Sequence, residues 1–277
     1  MRNAMSVDVE DYFHVQAFAH HINSENWDSL PCRVERNSDA VLALFAEHGV
    51  RATFFILGWV AERYPALIRR IAAGGHEVAS HGFSHVRIFE QSREAFRDDI
   101  RRTKGVLEDL AGAPVRGYRA ASFSITERSL WAHEILHAEG YAYSSSINPI
   151  RHDLYGMPHA PRFAFRPVGG GGILEVPMTT VELLGRRWPC AGGGFFRLLP
   201  LWWFTRTWRQ VNEGEGQPAV FYFHPWEIDP GQPRQSGAPL KSRLRHYTNL
   251  SRMKGKLHHI LRRHEWGRMD EIFLEGA

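Results

Sequence analysis

The chain has 277 residues, of which 43% are hydrophobic and 12% are aromatic. This composition can fill one large α/β domain or two small ones, and with 23% charged residues it excludes wholesale disorder. The net charge of +4 is spread along the chain, with the densest basic region at Lys241–Arg263. Because no platform interleaves Lys or Arg with aromatic residues, we expect no nucleic-acid binding.

The two cysteines, Cys32 and Cys190, stand far apart, which argues against a disulfide framework and against a thiolate metal site. Any metal ion must therefore be held by histidine and carboxylate side chains. No run approaches the roughly 18 apolar residues that a membrane helix needs. The N-terminus enters an acidic motif directly and shows no signal peptide, so we expect a cytoplasmic protein without a transmembrane segment.

Strand and helix patterns alternate through most of the chain. The first predicted strand, Ala4–Val9, ends at three acids and is followed by an irregular, aromatic stretch at 12–37. The later predictions are, in order, helix Ser38–His48, strand Val50–Leu57, helix Trp59–Ala73 interrupted at Pro65, strand His76–Ser80, helix Ser92–Leu110, strand Val115–Arg119, helix Thr126–Ala138, strand Tyr141–Ser145, strand Ile173–Val176, helix Leu198–Val211, strand Ala219–Phe223 and helix Thr248–Arg263. This alternation predicts a parallel α/β architecture in one domain.

Acids and histidines stand at the ends of these predicted strands. His81 and His85 are four apart, so on a helical turn both imidazoles would share a face and reach one ion. Asp8 and Glu10 are two apart on an extended segment and project to the same side, with Asp11 where the strand ends. A carboxylate with two imidazoles suits Zn²⁺ or another divalent ion, and a second carboxylate can deprotonate bound water. The pattern predicts a metal site on one rim of the sheet.

Four segments, in this order, resemble the polysaccharide deacetylases, carbohydrate esterase family 4. They are Ser6–Asp11, Ser80–His85, Tyr118–Ser122 and Phe223–Trp226, and the resemblance spans residues 4 to about 229. The D-V-E-D-Y-F opening, the stretch Gly193–Arg197 and the H-P-W-E-I-D segment look like deacetylases of bacterial exopolysaccharide gene clusters. The resemblance implies a distorted (β/α) barrel with about seven parallel strands. We expect a single catalytic domain over 1–277, with a basic helical extension at about 240–277.

The resemblance also implies an activity, namely metal-dependent removal of N-acetyl groups from amino sugars of a bacterial polysaccharide or exopolysaccharide precursor. The expected cofactor is Zn²⁺, with Co²⁺ or another divalent ion as an alternative, and the expected partner is a glycan that carries N-acetylated amino sugars. In this family pattern His81 and His85 bind the metal, Arg119 orients the catalytic carboxylate, and His224 protonates the leaving amine.

The acidic motif departs from the family pattern, which usually has adjacent Asp-Asp followed by Gly. Two assignments remain for Asp8-Val9-Glu10-Asp11-Tyr12. Either Asp8 is the base and Glu10 binds the metal, or Glu10 is the base and Asp11 binds the metal. Side-chain alternation favours the first, so we predict Asp8 as the base and keep Glu10 and Asp11 as alternative ligands.

Aromatic residues near the expected mouth of the site are candidate sugar-stacking platforms. We name Tyr12, Phe13 and Trp226 as the predicted substrate-binding residues. Two other functions fit parts of the pattern. One is a hydrolase acting on another C–N bond, such as a cyclic amide, on the same barrel. The other is a carbohydrate-binding protein with a dead site, and the presence of the acids, both histidines, Arg119 and His224 argues against it.

Overall fold

The computed structural model describes residues 1–19, 21–152 and 155–274. The strands are β1 (Asn3–Val9), β2 (Thr53–Ile56), β3 (Glu77–Ser80), β4 (Gly117–Tyr118), β5 (Tyr143–Ser144), β6 (Leu174–Glu175), β7 (Thr180–Leu183), β8 (Arg186–Pro189), β9 (Val220–Phe223) and β10 (Trp266–Gly267). The helices are α1 (Val34–Glu47), α2 (Gly58–Arg63), α3 (Pro65–Ala73), α4 (Arg93–Ala111), α5 (Ala132–Ala138), α6 (Gly193–Leu198), α7 (Leu201–Arg209), α8 (Leu240–Tyr247), α9 (Leu250–Arg263) and α10 (Met269–Phe273).

The main sheet is a curved row of parallel strands in the order β9-β1-β2-β3-β4-β5-β6, and β10 pairs with the first residues of β1. Ser6 of β1 pairs with Thr53 of β2 on one side and with Tyr222 of β9 on the other. Within the described part of the chain β6 and β9 do not pair, so the sheet forms a half-barrel. The prediction of a distorted (β/α) barrel with about seven parallel strands is confirmed.

The alternation along β1 shows how the sheet separates its two faces. All seven residues of this strand are buried, as expected for a parallel strand covered on both sides. Met5 and Val7 belong to the core between the sheet and the outer helices. Ser6 and Asp8 face the barrel interior, where both contact the buried guanidinium of Arg119. Polar side chains of β1 are therefore directed to the side on which the strand ends meet.

Three predicted helices have different bounds in the structure. Helix α1 begins at Val34 and not at Ser38, because the Asp11 carboxylate accepts the backbone N–H groups of Arg33 and Val34 and so caps the helix one turn earlier. The helix predicted at Thr126–Ala138 begins only at Ala132. The helix predicted at Leu198–Val211 is divided at Pro200 into α6 and α7.

The C-terminal segment packs on the barrel. Helix α9 was predicted from its amphipathic pattern, and its apolar face is buried at Leu250, Met253 and Leu257. The Lys256 ammonium donates to the carbonyl oxygens of Phe196 and Leu199 at the end of α6. The sequence analysis did not identify the β7–β8 hairpin or strand β10, and it gave no separate bounds for α8 within the expected helical extension. None of the described helices has both the length and the apolar character to cross a bilayer.

A buried acid, Glu77, lies at the end of the barrel where the strands begin, opposite their C-terminal ends. The Glu77 carboxylate accepts hydrogen bonds from Thr53 Oγ1 at 2.5 Å and from the Tyr143 hydroxyl at 3.0 Å. Burial, together with the neighbouring carboxylate of Asp270, raises the pKa of Glu77 to about 8. In the unfolded chain a glutamate titrates near 4.3. Folded Glu77 thus keeps its proton over a pH range in which the unfolded chain releases it.

We expect Glu77→Gln to change how stability depends on pH. Below about pH 4 the carboxyl group is protonated in both states, whereas from there to about pH 8 the wild type loses stability as the unfolded state ionises. Relative to wild type, the variant should therefore gain on the order of 4 kcal/mol in unfolding free energy between pH 5 and pH 9. Urea titrations at both pH values measure this, with the exposed Glu127→Gln as control. A pH-independent difference would contradict the raised pKa.

Candidate active site

A pocket of about 200 Å³ lies where the C-terminal ends of the strands meet. Five of the residues predicted as catalytic or metal-binding line it directly. They are Asp8, Glu10, His81, His85 and His224. Arg119 lies beneath this surface, fully buried, and reaches the pocket through Asp8. The parallel sheet thus brings together residues that are up to 216 positions apart in the chain.

Glu10, His81 and His85 form the tightest donor group in the pocket. The Glu10 Oε1 atom lies 2.9 Å from His81 Nε2 and 3.0 Å from His85 Nε2. All three side chains are at least nine-tenths buried. Burial alone would raise the pKa of Glu10, but the imidazoles of His85, His224 and His81 outweigh burial and hold it well below its usual range. The cluster is therefore built around a carboxylate anion.

This donor set fits a divalent cation. His81 Nδ1 lies 2.8 Å from the carbonyl oxygen of Arg119 and donates to it, which leaves the lone pair of Nε2 directed at the cluster. Ligand atoms around a zinc ion stand about 3 Å apart, since each lies about 2.0–2.2 Å from the metal. The distances to Glu10 Oε1 match that spacing. Two neutral imidazoles and one carboxylate leave room for water and substrate in a tetrahedral or octahedral shell.

The spacing of His81 and His85 had led us to expect a shared helical turn, but the two residues do not lie on one. Residues 81–87 are irregular, and His85 has a left-handed backbone with φ of 55°. Both imidazoles reach Glu10 because the loop curls back on itself after β3. The Asp99 carboxylate of α4 holds this loop by accepting the backbone N–H of Phe83 at 3.0 Å. A left-handed histidine in a buried cluster is backbone strain of the kind found at functional sites.

Asp8 and Arg119 form a buried ion pair beside the donor cluster. Asp8 Oδ1 accepts from Arg119 Nη1 at 2.6 Å. The guanidinium also donates to Ser6 Oγ at 2.9 Å, to the Ser145 carbonyl oxygen at 3.1 Å and to Ser145 Oγ at 3.1 Å. It lies over the ring of Phe55 at 4.0 Å. Arg119 is thus held at several points, and it fixes the position of the Asp8 carboxylate at the pocket wall.

Asp11 does not join the cluster. Its two carboxylate oxygens accept the backbone N–H groups of Tyr12, Arg33 and Val34, at 2.9, 2.5 and 2.8 Å. The carboxylate therefore ties the loop after β1 to the start of α1. Within the part of the chain that is described, the carboxylate that lies within ligand distance of His81 and His85 is that of Glu10.

The three predicted stacking residues have different positions. Tyr12 and Phe13 are each 1% exposed and lie in an aromatic cluster with Trp27 and Trp226, away from the pocket wall. Trp226 does line the pocket, although it is only 5% exposed. Its ring stacks on His246 at 4.1 Å and on His224 at 5.2 Å. Tyr12 and Phe13 thus contribute to the core under the site, and Trp226 supports His224.

His224 is held by a carboxylate–arginine pair that the sequence analysis did not assign. Its Nδ1 atom lies 2.9 Å from Glu227 Oε1, and Glu227 Oε2 accepts from Arg197 Nε at 2.7 Å. The Nε2 atom faces the pocket, 3.9 Å from Glu10 Oε1. Glu227 and Arg197 lie in two segments, H-P-W-E-I-D and G-G-F-F-R, whose resemblance to exopolysaccharide deacetylases was noted. That resemblance was the signal from which both could have been predicted.

The charges around His224 favour its protonated form. Burial opposes the imidazolium, but the carboxylates of Glu10, Glu227 and Asp8 outweigh burial and raise the pKa of His224 to about 9. Burial likewise disfavours the Glu227 anion, yet Arg197 and His224 lower the pKa of this carboxyl group to about 2. A bound cation at Glu10 would remove part of the negative charge that His224 experiences. Glu227 would remain as its fixed partner.

Two family models match successive parts of the chain. Residues 25–141 match the family described as Polysaccharide deacetylase. Residues 25–141 therefore belong to a polysaccharide deacetylase domain. The matched part of this domain includes His81, His85 and Arg119. Residues 145–274 match a family described as Domain of unknown function (DUF3473), and this region includes His224 and Glu227.

Curated proteins that are similar to part of this chain are named as deacetylases. A peptidoglycan-N-acetylglucosamine deacetylase of Bacillus cereus is 36% identical over 95 residues, which cover 34% of this chain and 34% of the relative. A chitooligosaccharide deacetylase of Rhizobium leguminosarum bv. trifolii is 35% identical over 94 residues, which cover 32% of this chain and 44% of the relative. The alignments thus span between a third and a half of these relatives.

Solved structures share the fold of this chain over nearly its whole length. A candidate polysaccharide deacetylase from Mycobacterium smegmatis aligns with a TM-score of 0.63 at 18% identity, covering 97% of this chain and 87% of that one. The Puue allantoinase aligns with a TM-score of 0.58 at 15% identity, with the same two coverages. At these identities the likeness shows the fold alone, and it does not distinguish a deacetylase from an allantoinase.

We expect Glu227→Gln to lower the activity of this pocket and to leave the Glu10, His81 and His85 cluster intact. A neutral amide holds the His224 imidazolium less firmly, so kcat should fall by about 100-fold, as for loss of acid–base assistance. Gly193→Ala should act on the same carboxylate, because an added Cβ would overlap Glu227 Oε1. Steady-state kinetics with metal analysis measure both effects. Gly255→Ala is the control, since its Cβ meets no atom within 4 Å. Unchanged kcat in Glu227→Gln would remove this pair from the mechanism.

Proposed function

We propose that this protein is a metal-dependent N-deacetylase that acts on N-acetylated amino sugars of a bacterial polysaccharide or exopolysaccharide precursor. The observation that carries the proposal is the convergence of three units on one pocket. These units are the Glu10–His81–His85 donor cluster, the Asp8–Arg119 pair and the His224–Glu227 pair. Because the alignments span less than half of the curated relatives, the substrates named for those proteins enter here as proposals only.

Glu10, His81 and His85 would hold the cation, with Zn²⁺ as the expected ion. A bound divalent ion of this kind polarises an acetamide carbonyl and lowers the pKa of a water molecule. Glu10 is assigned as the carboxylate ligand because its oxygen already faces both imidazoles. Asp11 is not assigned this role because its carboxylate accepts three backbone N–H groups.

Asp8 is assigned as the general base. Its carboxylate lines the pocket, and Arg119 holds it in place through a short ion pair. In the proposed reaction Asp8 takes a proton from the attacking water, and the oxygen of that water forms the new bond to the acetyl carbon. Arg119 is a positioning residue, because it acts on the reacting atoms only through Asp8.

His224 is assigned as the general acid. Its Nε2 faces the pocket while Glu227 binds Nδ1, so the proton on Nε2 is the one available to the substrate. As the C–N bond breaks, this proton passes to the nitrogen, and the products are acetate and a free amino sugar. The Glu227 carboxylate favours the imidazolium form of His224 and so helps to keep this proton in place before the reaction.

Chelation followed by metal addition tests the proposal. Wild-type protein treated with a chelator should lose release of acetate from N-acetylglucosamine oligomers, and Zn²⁺ or Co²⁺ should restore it. Activity that survives complete removal of metal, measured by elemental analysis, would overturn the metal assignment. Hydrolysis of a cyclic amide without acetate release would point to the other C–N hydrolase. The curated relatives do not favour that alternative, since those cited above are named as deacetylases.

A further inference from the structure

A second groove of about 500 Å³ lies near the catalytic pocket. Strand β8, helix α6, the start of α7 and the loop at 150–152 form its walls. Three aromatic side chains line it together with two exposed arginines. They are Trp188, Phe195, Trp203, Arg151 and Arg186, and we call this feature the Trp188 groove.

The Trp188 groove and the catalytic pocket share a wall. Tyr155 lines the catalytic pocket and His152 lines the groove, and their rings stack with a centroid distance of 4.0 Å and an angle of 12°. Helix α6 contributes to both spaces, with Arg197 at the pocket and Phe195 at the groove. The groove is therefore adjacent to the catalytic pocket, with one layer of side chains between the two spaces.

Strand β8 presents an arginine and a tryptophan to the same side. Arg186 and Trp188 stand two apart on the strand, so their side chains project to one face. Arg187 has a structural task, since it donates to the carbonyl oxygens of Pro158 and Ala160 and fixes the hairpin to the barrel. For Arg186, in contrast, the described residues include no acidic partner, and its guanidinium is exposed. The ring of Trp188 is 46% exposed.

These side chains suit a particular ligand chemistry. Aromatic rings offer flat apolar surfaces that match the C–H faces of sugars, and a few polar groups then set orientation. A guanidinium binds a carboxylate through two parallel hydrogen bonds. A neutral glycan would use the rings alone. The arginines become useful when the sugars carry negative charge.

We propose that the Trp188 groove binds sugar units next to the acetylated unit, and that these neighbouring units carry carboxylate groups. The substrate class would then be an acidic polysaccharide that alternates or mixes N-acetylated amino sugars with uronic acids. This inference rests on the proposed deacetylase function and adds the identity of the flanking sugars. The groove supplies affinity for the polymer, and the catalytic pocket supplies the chemistry.

Direct binding tests the groove independently of turnover. Asp8→Asn protein is titrated in a calorimeter with three probes: a hexasaccharide alternating N-acetylglucosamine and glucuronic acid, a neutral hexamer of N-acetylglucosamine, and the N-acetylglucosamine disaccharide. The acidic hexasaccharide should bind about tenfold more tightly than the neutral hexamer, as expected for one added bidentate ion pair. This preference should shrink as salt rises, because exposed charges are screened.

Two variants with matched controls locate the effect. In the same background, Arg186→Gln should remove the tenfold preference for the acidic hexasaccharide and leave the neutral hexamer within twofold. Trp188→Ala should weaken both hexamers by about tenfold, as for loss of an exposed stacking surface. The controls are Arg206→Gln and Trp202→Ala, an exposed arginine and an exposed tryptophan of α7 that lie outside the groove lining.

The outcomes separate this inference from the proposed function. If wild-type protein releases acetate but Arg186→Gln and Trp188→Ala bind every probe as the controls do, the groove assignment is overturned and the deacetylase function stands. If no probe yields acetate with metal-loaded wild type, the proposed function fails, whatever the groove binds. Equal affinity for acidic and neutral hexamers would overturn the acidic substrate class. Binding of anionic phospholipid vesicles through Trp188, without saccharide binding, would assign the groove to a membrane surface.

Discussion

Asp8→Asn is expected to lower kcat for acetate release by about 1,000-fold while the protein keeps its metal ion. A general base contributes roughly 10²–10⁴ to the rate, and an amide cannot accept the proton. The ligand cluster of Glu10, His81 and His85 does not include Asp8, so elemental analysis should give the wild-type metal content. Retained turnover with retained metal would move the base to Glu10, which is the alternative left by the acidic motif.

Stability must be measured alongside this variant. Arg119 is fully buried, and Asp8→Asn leaves its positive charge without a facing carboxylate. We therefore expect a lower Tm, and the kinetic comparison belongs at a temperature at which circular dichroism shows the variant folded. The exposed Asp98→Asn is the matched control, and it should change neither kcat nor Tm.

His81→Ala is expected to abolish both metal binding at the pocket and acetate release. The imidazole supplies one of three donors, and its Nδ1 also ties the cluster to the Arg119 carbonyl oxygen. Loss of a ligand from a three-residue site should lower activity by about 1,000-fold or more, since both the ion and the water that it activates are lost. Normal acetate release by metal-depleted His81→Ala protein would be incompatible with the mechanism proposed above.

A surface histidine group provides the matched control for this experiment. Glu47, His48 and His258 also lie within ligand distance of one another, with His48 Nε2 and His258 Nδ1 2.9 Å apart. This group joins the end of α1 to α9 and is separate from the cluster of Glu10, His81 and His85. His258→Ala should keep full activity even if it lowers total metal content. Comparing the two variants separates catalytic metal from metal held at the surface.

The order of elements could be predicted because it depends on local pattern. Strand β1 and strand β9 are short apolar runs that end at polar residues, and α4 begins at the Ser92 cap where the pattern placed it. The bounds of α1 could not be predicted in the same way. Its cap is the carboxylate of Asp11, which is 23 positions before Val34 and reaches the helix only in the folded chain.

The site shows the same division between local and long-range information. The resemblance of four segments identified Asp8, His81, His85, Arg119 and His224, and all of these lie at or under one pocket. Burial of the rings decides the positions of Tyr12 and Phe13, since an aromatic residue fills a core as readily as it binds a sugar. The partnership of Glu227 with His224 and Arg197 depends on side-chain directions that no spacing encodes.

The sequence by itself determined the fold class and the residue types of the site, because hydrophobic period and strand-end polarity are properties of neighbouring residues. Only the tertiary structure decided which of Glu10 and Asp11 lies beside His81 and His85. Both acids follow the same strand, and a difference of one position directs one carboxylate into the cluster with His81 and His85 and the other onto the start of α1. That choice depends on which donors the fold brings within 3 Å, and those donors come from distant parts of the chain.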